Sequence, residues 1–204
     1  MERHAPPMFV EPLDLRSSAL VVWDMQHGIA GRAYNRAEIV PRIAELLTAY
    51  RARRLPIVYS QHTVPPEGWG NPSMARNMRR RGVPPTGFRL APGSPEWEIL
   101  PELAPRPDEL VLPKTTPSFF VGTPLESMLR FRHIESLVLT GVSTERGILE
   151  TARHALTLGF HPLVIEDACG SMSPEGQSAA LAQLRTMCDV ESAASVVARL
   201  PPIA

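Results

Sequence analysis

The run IESLVLTGVSTERGILETARHALTLGFHPLVIE, Ile134 to Glu166, decides the fold. It opens on an apolar stretch of strand length, Ile134 to Thr140, and passes through Gly141-Val142-Ser143 into a segment with helical spacing, Glu145 to Leu158. It closes on a second apolar stretch, His161 to Glu166. Strand, helix and strand of these lengths make one crossover unit, and strands joined by a crossover helix lie parallel. Near-continuous apolar runs such as these belong to strands covered on both faces.

The alternation continues on either side. Ser18 to Met25 (SALVVWDM) reads as a strand, Val40 to Arg53 as a helix and Leu55 to Ser60 (LPIVYS) as the next strand. Glu109 to Pro113 reads as a strand and Pro124 to Arg132 as a helix ahead of the central run. A helix opening after Ser173-Pro174 and a short strand around Val190 follow it. The predicted class is therefore α/β: a single-domain three-layer sandwich around a mostly parallel, Rossmann-like sheet of roughly six strands. Between residues 61 and 107 the periodicity stops and Pro, Gly and Arg dominate. A stretch of that kind is a lid or pocket loop, or a plain structural connection. Residues 1–16 read as an extended N-terminal arm.

With 204 residues and 22.5 kDa the chain fits one domain, spanning 1–204. Lys+Arg and Asp+Glu balance at 21 each, which argues against a nucleic-acid partner. The local cluster Arg76, Arg79, Arg80 and Arg81 reads first as a solvated face and second as an anion-attracting rim. No apolar run approaches the roughly 18 residues of a membrane span, and the N-terminal stretch lacks the apolar core of a leader. Cys169 and Cys188 have neither zinc nor disulfide-framework spacing, and a reducing cytoplasm suits them.

In open parallel sheets, ligands bind beyond the carboxyl ends of the strands. Asp24 ends the first strand, Lys114 the third, and the central run supplies a helix N-terminus after Gly141-Val142-Ser143. A strand-end carboxylate alone is often a solvated turn residue and a strand-end lysine a surface charge. Asp24, however, follows an unbroken apolar run, so burial gives it need of a partner, and Lys114 is the plausible one. The helix N-terminus offers N–H donors and a positive dipole end to a developing oxyanion, unless Ser143 or Thr144 merely caps the helix. Gly147 either admits substrate close to the backbone or is simply a small residue.

In family order, ALVVWDMQ, PIVYSQH, PGSPEWEILPEL, LVLPKTTPSFFVGTPLESMLR, LVLTGVSTERGILETARHA and PLVIEDACGSMSPE resemble the isochorismatase-like hydrolase superfamily over nearly the whole length. That superfamily includes isochorismatases, nicotinamidases, carbamoylsarcosine amidases and related cysteine hydrolases. The catalytic Asp, Lys and Cys of its amide-cleaving branch fall on Asp24, Lys114 and Gly147. Cys169 falls in a stretch similar to a non-catalytic one, and Cys188 reads as a small core hydrophobe. The resemblance implies a non-proline cis peptide between Val142 and Ser143, with the Ser143 and Gly147 N–H groups aimed into the pocket. It also implies a small-molecule substrate and a homodimer or homotetramer. Gln26, His62, Phe120 and Arg146 are taken as substrate-binding; His62 reads equally as a wall residue. Trp69, Phe88, Phe119 and Phe120 are candidates for an apolar pocket lining or plain core aromatics. The nicotinamidase branch holds a divalent ion through Asp-x-His…His. This chain offers His62 with no second His or Asp before Asp108, so no metal and no cofactor are expected.

The glycine leaves two enzymatic readings. The true isochorismatases also carry glycine there and split a vinyl ether without a covalent intermediate; Asp24 would be the proton donor and Lys114 would orient the carboxylates. Alternatively, the chain is an amidase-branch relative without its nucleophile, acting on a small amide through activated water or only binding it. TERGILETARHA favours the second: isochorismatases carry an aromatic residue and a histidine where this chain has Ser143 and Glu145, and a glutamine in place of His62. A hydroxyl of Ser143 or Thr144 is a poor substitute nucleophile, because these residues build the turn.

Overall fold

The computed structural model describes residues 13–80, 82 and 90–203. Residues 1–12 of the arm, Arg81 of the arginine cluster and the pocket candidate Phe88 lie outside the described residues.

Six strands form one sheet: β1 (Ser18–Trp23), β2 (Ile57–His62), β3 (Leu110–Lys114), β4 (Ser136–Val142), β5 (His161–Gly170) and β6 (Asp189–Glu191), in the order β3-β2-β1-β4-β5-β6. Every neighbouring pair is parallel. The predicted class, three layers around a parallel sheet, is the one observed. Strand ends differ from the expected ones by a few residues. β1 stops at Trp23 because Asp24 turns out of the extended region, and β2 runs on through His62 because it keeps its partner Lys114 in β3.

The sheet lies between two apolar layers, and β1 divides its side chains between them. Leu20 and Val22 face α2 (Arg36–Ala52), through Ile39, Ile43, Leu46, Leu47 and Tyr50. Ala19, Val21 and Trp23 face the opposite cluster, with Phe119, Ile148, Ala152 and Ala155. All six β1 residues are buried, which is why the strand reads as one apolar run. α2 begins at Arg36 rather than Val40 and carries Pro41 inside. The missing N–H is outweighed by the apolar stripe the longer helix buries.

The remaining helices are α1 (His27–Ala30), α3 (Pro72–Arg80), α4 (Leu125–Phe131), α5 (Leu149–Thr157), α6 (Pro174–Leu184) and α7 (Ala193–Arg199). Neither α3 nor α7 is legible as apolar periodicity. α3 buries no residue, and α7 buries only Ala193 and Val196. Residues 61–107 are accordingly less irregular than expected. They hold the end of β2, α3 and a short 3-10 turn at Pro101–Leu103, and Leu90, Leu100 and Leu103 pack into the core. Leu15 is buried as well, so the end of the arm is docked. No helix of the described residues is long and apolar enough to cross a membrane.

Candidate active site

Asp24 is the first residue after β1 and takes φ +44°, a left-handed conformation that non-glycine residues rarely adopt. The turn carries the carboxylate into a web of donors. The Asp24 N–H reaches the Ser60 carbonyl at 3.3 Å and the Ser60 Oγ at 3.0 Å, and the Ser60 hydroxyl donates to Asp24 Oδ1 at 2.6 Å. Backbone strain of this kind persists where surrounding contacts enforce it.

Lys114 closes the site from β3. One strand, β2, separates β1 from β3, two spacings of about 9–10 Å together, and the lysine stem spans that gap so that Nζ donates to Asp24 Oδ2 at 2.6 Å. Both side chains are removed from water, Asp24 at 5% exposure and Lys114 at 4%. Burial pulls the lysine below its ordinary value, while the charge and hydrogen bond of Asp24 oppose the shift. An ammonium carries three donors. Beyond Asp24, Lys114 has no second acceptor among the described residues. It lies over the Trp23 ring at 4.1 Å from the centroid.

His62 pairs with Lys114 in register at the end of β2, and burial lowers its imidazole below the ordinary histidine value. The Asp24 carboxylate opposes that shift and the Lys114 ammonium reinforces it, so the ring lies within the field of both. It therefore stays neutral at neutral pH.

Three of the residues taken as substrate-binding stand elsewhere. Gln26 is fully buried and spends its amide on backbone: Nε2 donates to the carbonyls of His62 and Trp97 at 3.0 and 2.8 Å, and Oε1 accepts the His62 N–H at 2.7 Å. It clamps the end of β2 to the segment after α3. Phe120 stacks on Phe160 at 5.7 Å and tilts against His154 at 5.3 Å, inside the layer of α4 and α5. Its neighbour Phe119 is the one whose ring meets Trp23 edge-on, at 5.4 Å. Arg146 is exposed to solvent rather than turned to the buried pair. Trp69, another lining candidate, is 84% exposed.

The Val142–Ser143 peptide is cis, as the family resemblance implies. The chain then enters not a regular α-helix but a π-turn, Thr144–Ile148, in which the Ser143 carbonyl accepts the Ile148 N–H at 3.2 Å. Such turns recur at functional sites. Ser143 stands at the N-cap position without a side-chain cap bond. The Thr144 hydroxyl is fully buried, 2.9 Å from the Gly170 carbonyl and 2.6 Å from Gln177 Oε1. It ties the turn to β5 and α6 rather than capping. Of the two readings of Gly147, the packing matches the small residue. A Cβ placed on it would fall 2.0 Å from Nε1 and 2.2 Å from Cε2 of Trp23. The indole fills that space.

No thiol reaches this place. Cys169 is fully buried in β5, with Sγ donating to the Leu139 carbonyl at 3.4 Å, and burial pushes it up, away from the thiolate. Cys188, half-buried, is pushed up to about 11 by burial. The arrangement of Asp24, Lys114 and His62 suits proton transfer and the holding of an anionic or polarised oxygen. Sequence reasoning missed Ser60 and Trp23. A serine inside an apolar strand and a tryptophan before an aspartate carry no signal of their own: strand register brings Ser60 to Asp24, and the fold brings Trp23 to Gly147.

The family model described as the isochorismatase domain matches residues 18–195. The chain is similar to a cysteine hydrolase from Pseudomonas syringae pv. phaseolicola, with TM-score 0.82 and 25% identity over 93% of this chain and 94% of that one. An isochorismatase family protein from Burkholderia thailandensis gives TM-score 0.77 and 33% identity over 90% and 95%. A nicotinamidase/pyrazinamidase from Bacillus subtilis gives TM-score 0.75 and 25% identity over 86% and 99%. With the matched domain covering the sheet, the cis turn and both members of the buried pair, the chain belongs to the isochorismatase family.

Proposed function

We propose that the chain hydrolyses the vinyl (enol) ether of a small isochorismate-type carboxylate by acid catalysis, without a covalent enzyme intermediate. The observation that carries this reading is the buried Asp24–Lys114 pair, 2.6 Å apart, beside a position 147 that holds glycine. The pair holds a proton in a dry site and offers no nucleophile. It delivers that proton to the terminal enol carbon, leaving an oxocarbenium ion on the ether carbon; water adds there and gives up a proton to the pair. The hemiketal then collapses to pyruvate and an alcohol. The donors that Lys114 does not spend on Asp24 suit the substrate carboxylate. Neutral His62 is suited to relay the water's proton.

The amidase-branch reading keeps the local likeness of TERGILETARHA and the similarity to a nicotinamidase/pyrazinamidase. An amide carbonyl, however, demands a strong nucleophile, and water activated by a carboxylate alone forfeits several orders of magnitude in rate. Turnover of enol-ether carboxylates, isochorismate included, measured beside small amides separates the two. We expect release of pyruvate from an enol ether and no ammonia from amides. Ammonia release with inert enol ethers would reverse the assignment.

A further inference from the structure

We propose that Trp23 takes the place of a side chain at position 147 and presents its indole N–H to an oxygen of the substrate, which sets this site for hydrolysis without a nucleophile. The proposal rests on the Asp24–Lys114 pair being the reacting centre.

Three observations converge on it. First, the indole occupies the volume in which a side chain on residue 147 would begin: Nε1, Cε2 and Cζ2 lie 2.0, 2.2 and 2.5 Å from a Cβ built there. Those separations are far inside contact distance, so a side chain at 147 and the indole in this position exclude one another. Nor is the ring free to swing away. Trp23 is 1% exposed, with Phe119 against its edge and the Lys114 ammonium over its face.

Second, the neighbouring strand is shaped to the same residue. Gly141 pairs with Trp23 in register at φ +111°, and a Cβ there would fall 2.1 Å from the Trp23 carbonyl oxygen. Two glycines, Gly141 against the backbone and Gly147 against the ring, make the seat of one tryptophan.

Third, the indole N–H has no acceptor among the described residues, and it is not one of their fully shielded unpartnered atoms, so the donor is open to a ligand. An indole N–H left without a protein acceptor is a ready donor to an oxygen that binds beside it. Here Nε1 lies 2.0 Å from where the first atom of a side chain on residue 147 would stand, on the same ring that Lys114 covers. A neutral, non-nucleophilic donor therefore replaces a thiol beside the acid–base pair. A substrate oxygen bound to it shares a site with the Lys114 donors.

The test has two arms that do not need turnover. In the folded parent, the indole N–H resonances are titrated with pyruvate, the smallest carboxylate the proposed reaction releases. Trp23→Phe assigns the Trp23 signal. We expect that signal to move, while Trp69, exposed, and Trp97, bonded to the Thr63 hydroxyl at 3.1 Å, stay in place. In the second arm, Gly147→Cys is made in the parent and in Trp23→Val. With the tryptophan present the cysteine should lower the melting temperature by about 5 °C or more, as overpacking does. With valine it should be tolerated, and its thiol, near Lys114, should react with iodoacetamide at neutral pH. A Trp23 resonance indifferent to pyruvate, or equal stability losses in the two backgrounds, overturns the proposal. Inert enol ethers with both arms as expected would sink the proposed function and leave the role of Trp23 standing.

Discussion

One lysine and one aspartate, both withdrawn from water, carry the chemistry assigned to this chain, and their environment dictates how they respond to change. Asp24→Asn keeps the shape and the Ser60 contact while removing the shared proton. Turnover should fall about a hundredfold or more, with circular dichroism unchanged. Burial lowers Lys114, so its proton leaves at lower pH than from an ordinary lysine, near 10.4. The parent should therefore lose activity on the alkaline side below that value; full activity at pH 11 would speak against a proton held by the pair. Asp24 and Lys114 were legible in the sequence because each ends an apolar strand, and strand ends converge in a parallel sheet. Gln26, Phe120 and Arg146 share the motifs yet stand away from the buried pair, because adjacent residues face different directions. Motif membership does not say whether a side chain meets backbone, core or substrate.

At the scale of elements, the sequence spoke clearly wherever both faces of a strand are buried and where a serine cap is followed by proline. Helix α6 is the plainest case. Ser173 in extended conformation accepts the Gly176 N–H at 3.1 Å, with Pro174 opening the first turn. Ser173→Ala should cost about 1 kcal/mol in urea unfolding and leave turnover intact, since the residue lies outside the pair and its contacts. An unchanged midpoint would mean that the cap is idle. Helices α3 and α7 escaped notice because they bury little, and the π-turn because its i+5 bonding leaves no periodic mark in five residues. The bulge between Leu139 and Gly141, which shifts β4 against β5, is likewise a matter of packing.

Across the whole molecule, the strand order makes β1 and β4 neighbours whose following helices leave to opposite faces, the divergence at which open parallel sheets bind their ligands. Asp24 and the Val142–Ser143 turn stand at this point, and Lys114 reaches it from the sheet edge. The alternation of strands and helices predicted that divergence; the tryptophan packed beside it depends on a glycine more than a hundred residues away, a pairing that only the folded chain reveals. The claim that hydrolysis proceeds here without a covalent enzyme intermediate is open to direct measurement. Parent enzyme turning over an enol-ether carboxylate would be quenched in acid within the first turnovers and its intact mass recorded. Hydrolysis by the pair leaves the unmodified chain of 22.5 kDa at every time point while pyruvate accumulates. A transient species heavier by a substrate fragment, rising and decaying with turnover, would contradict it.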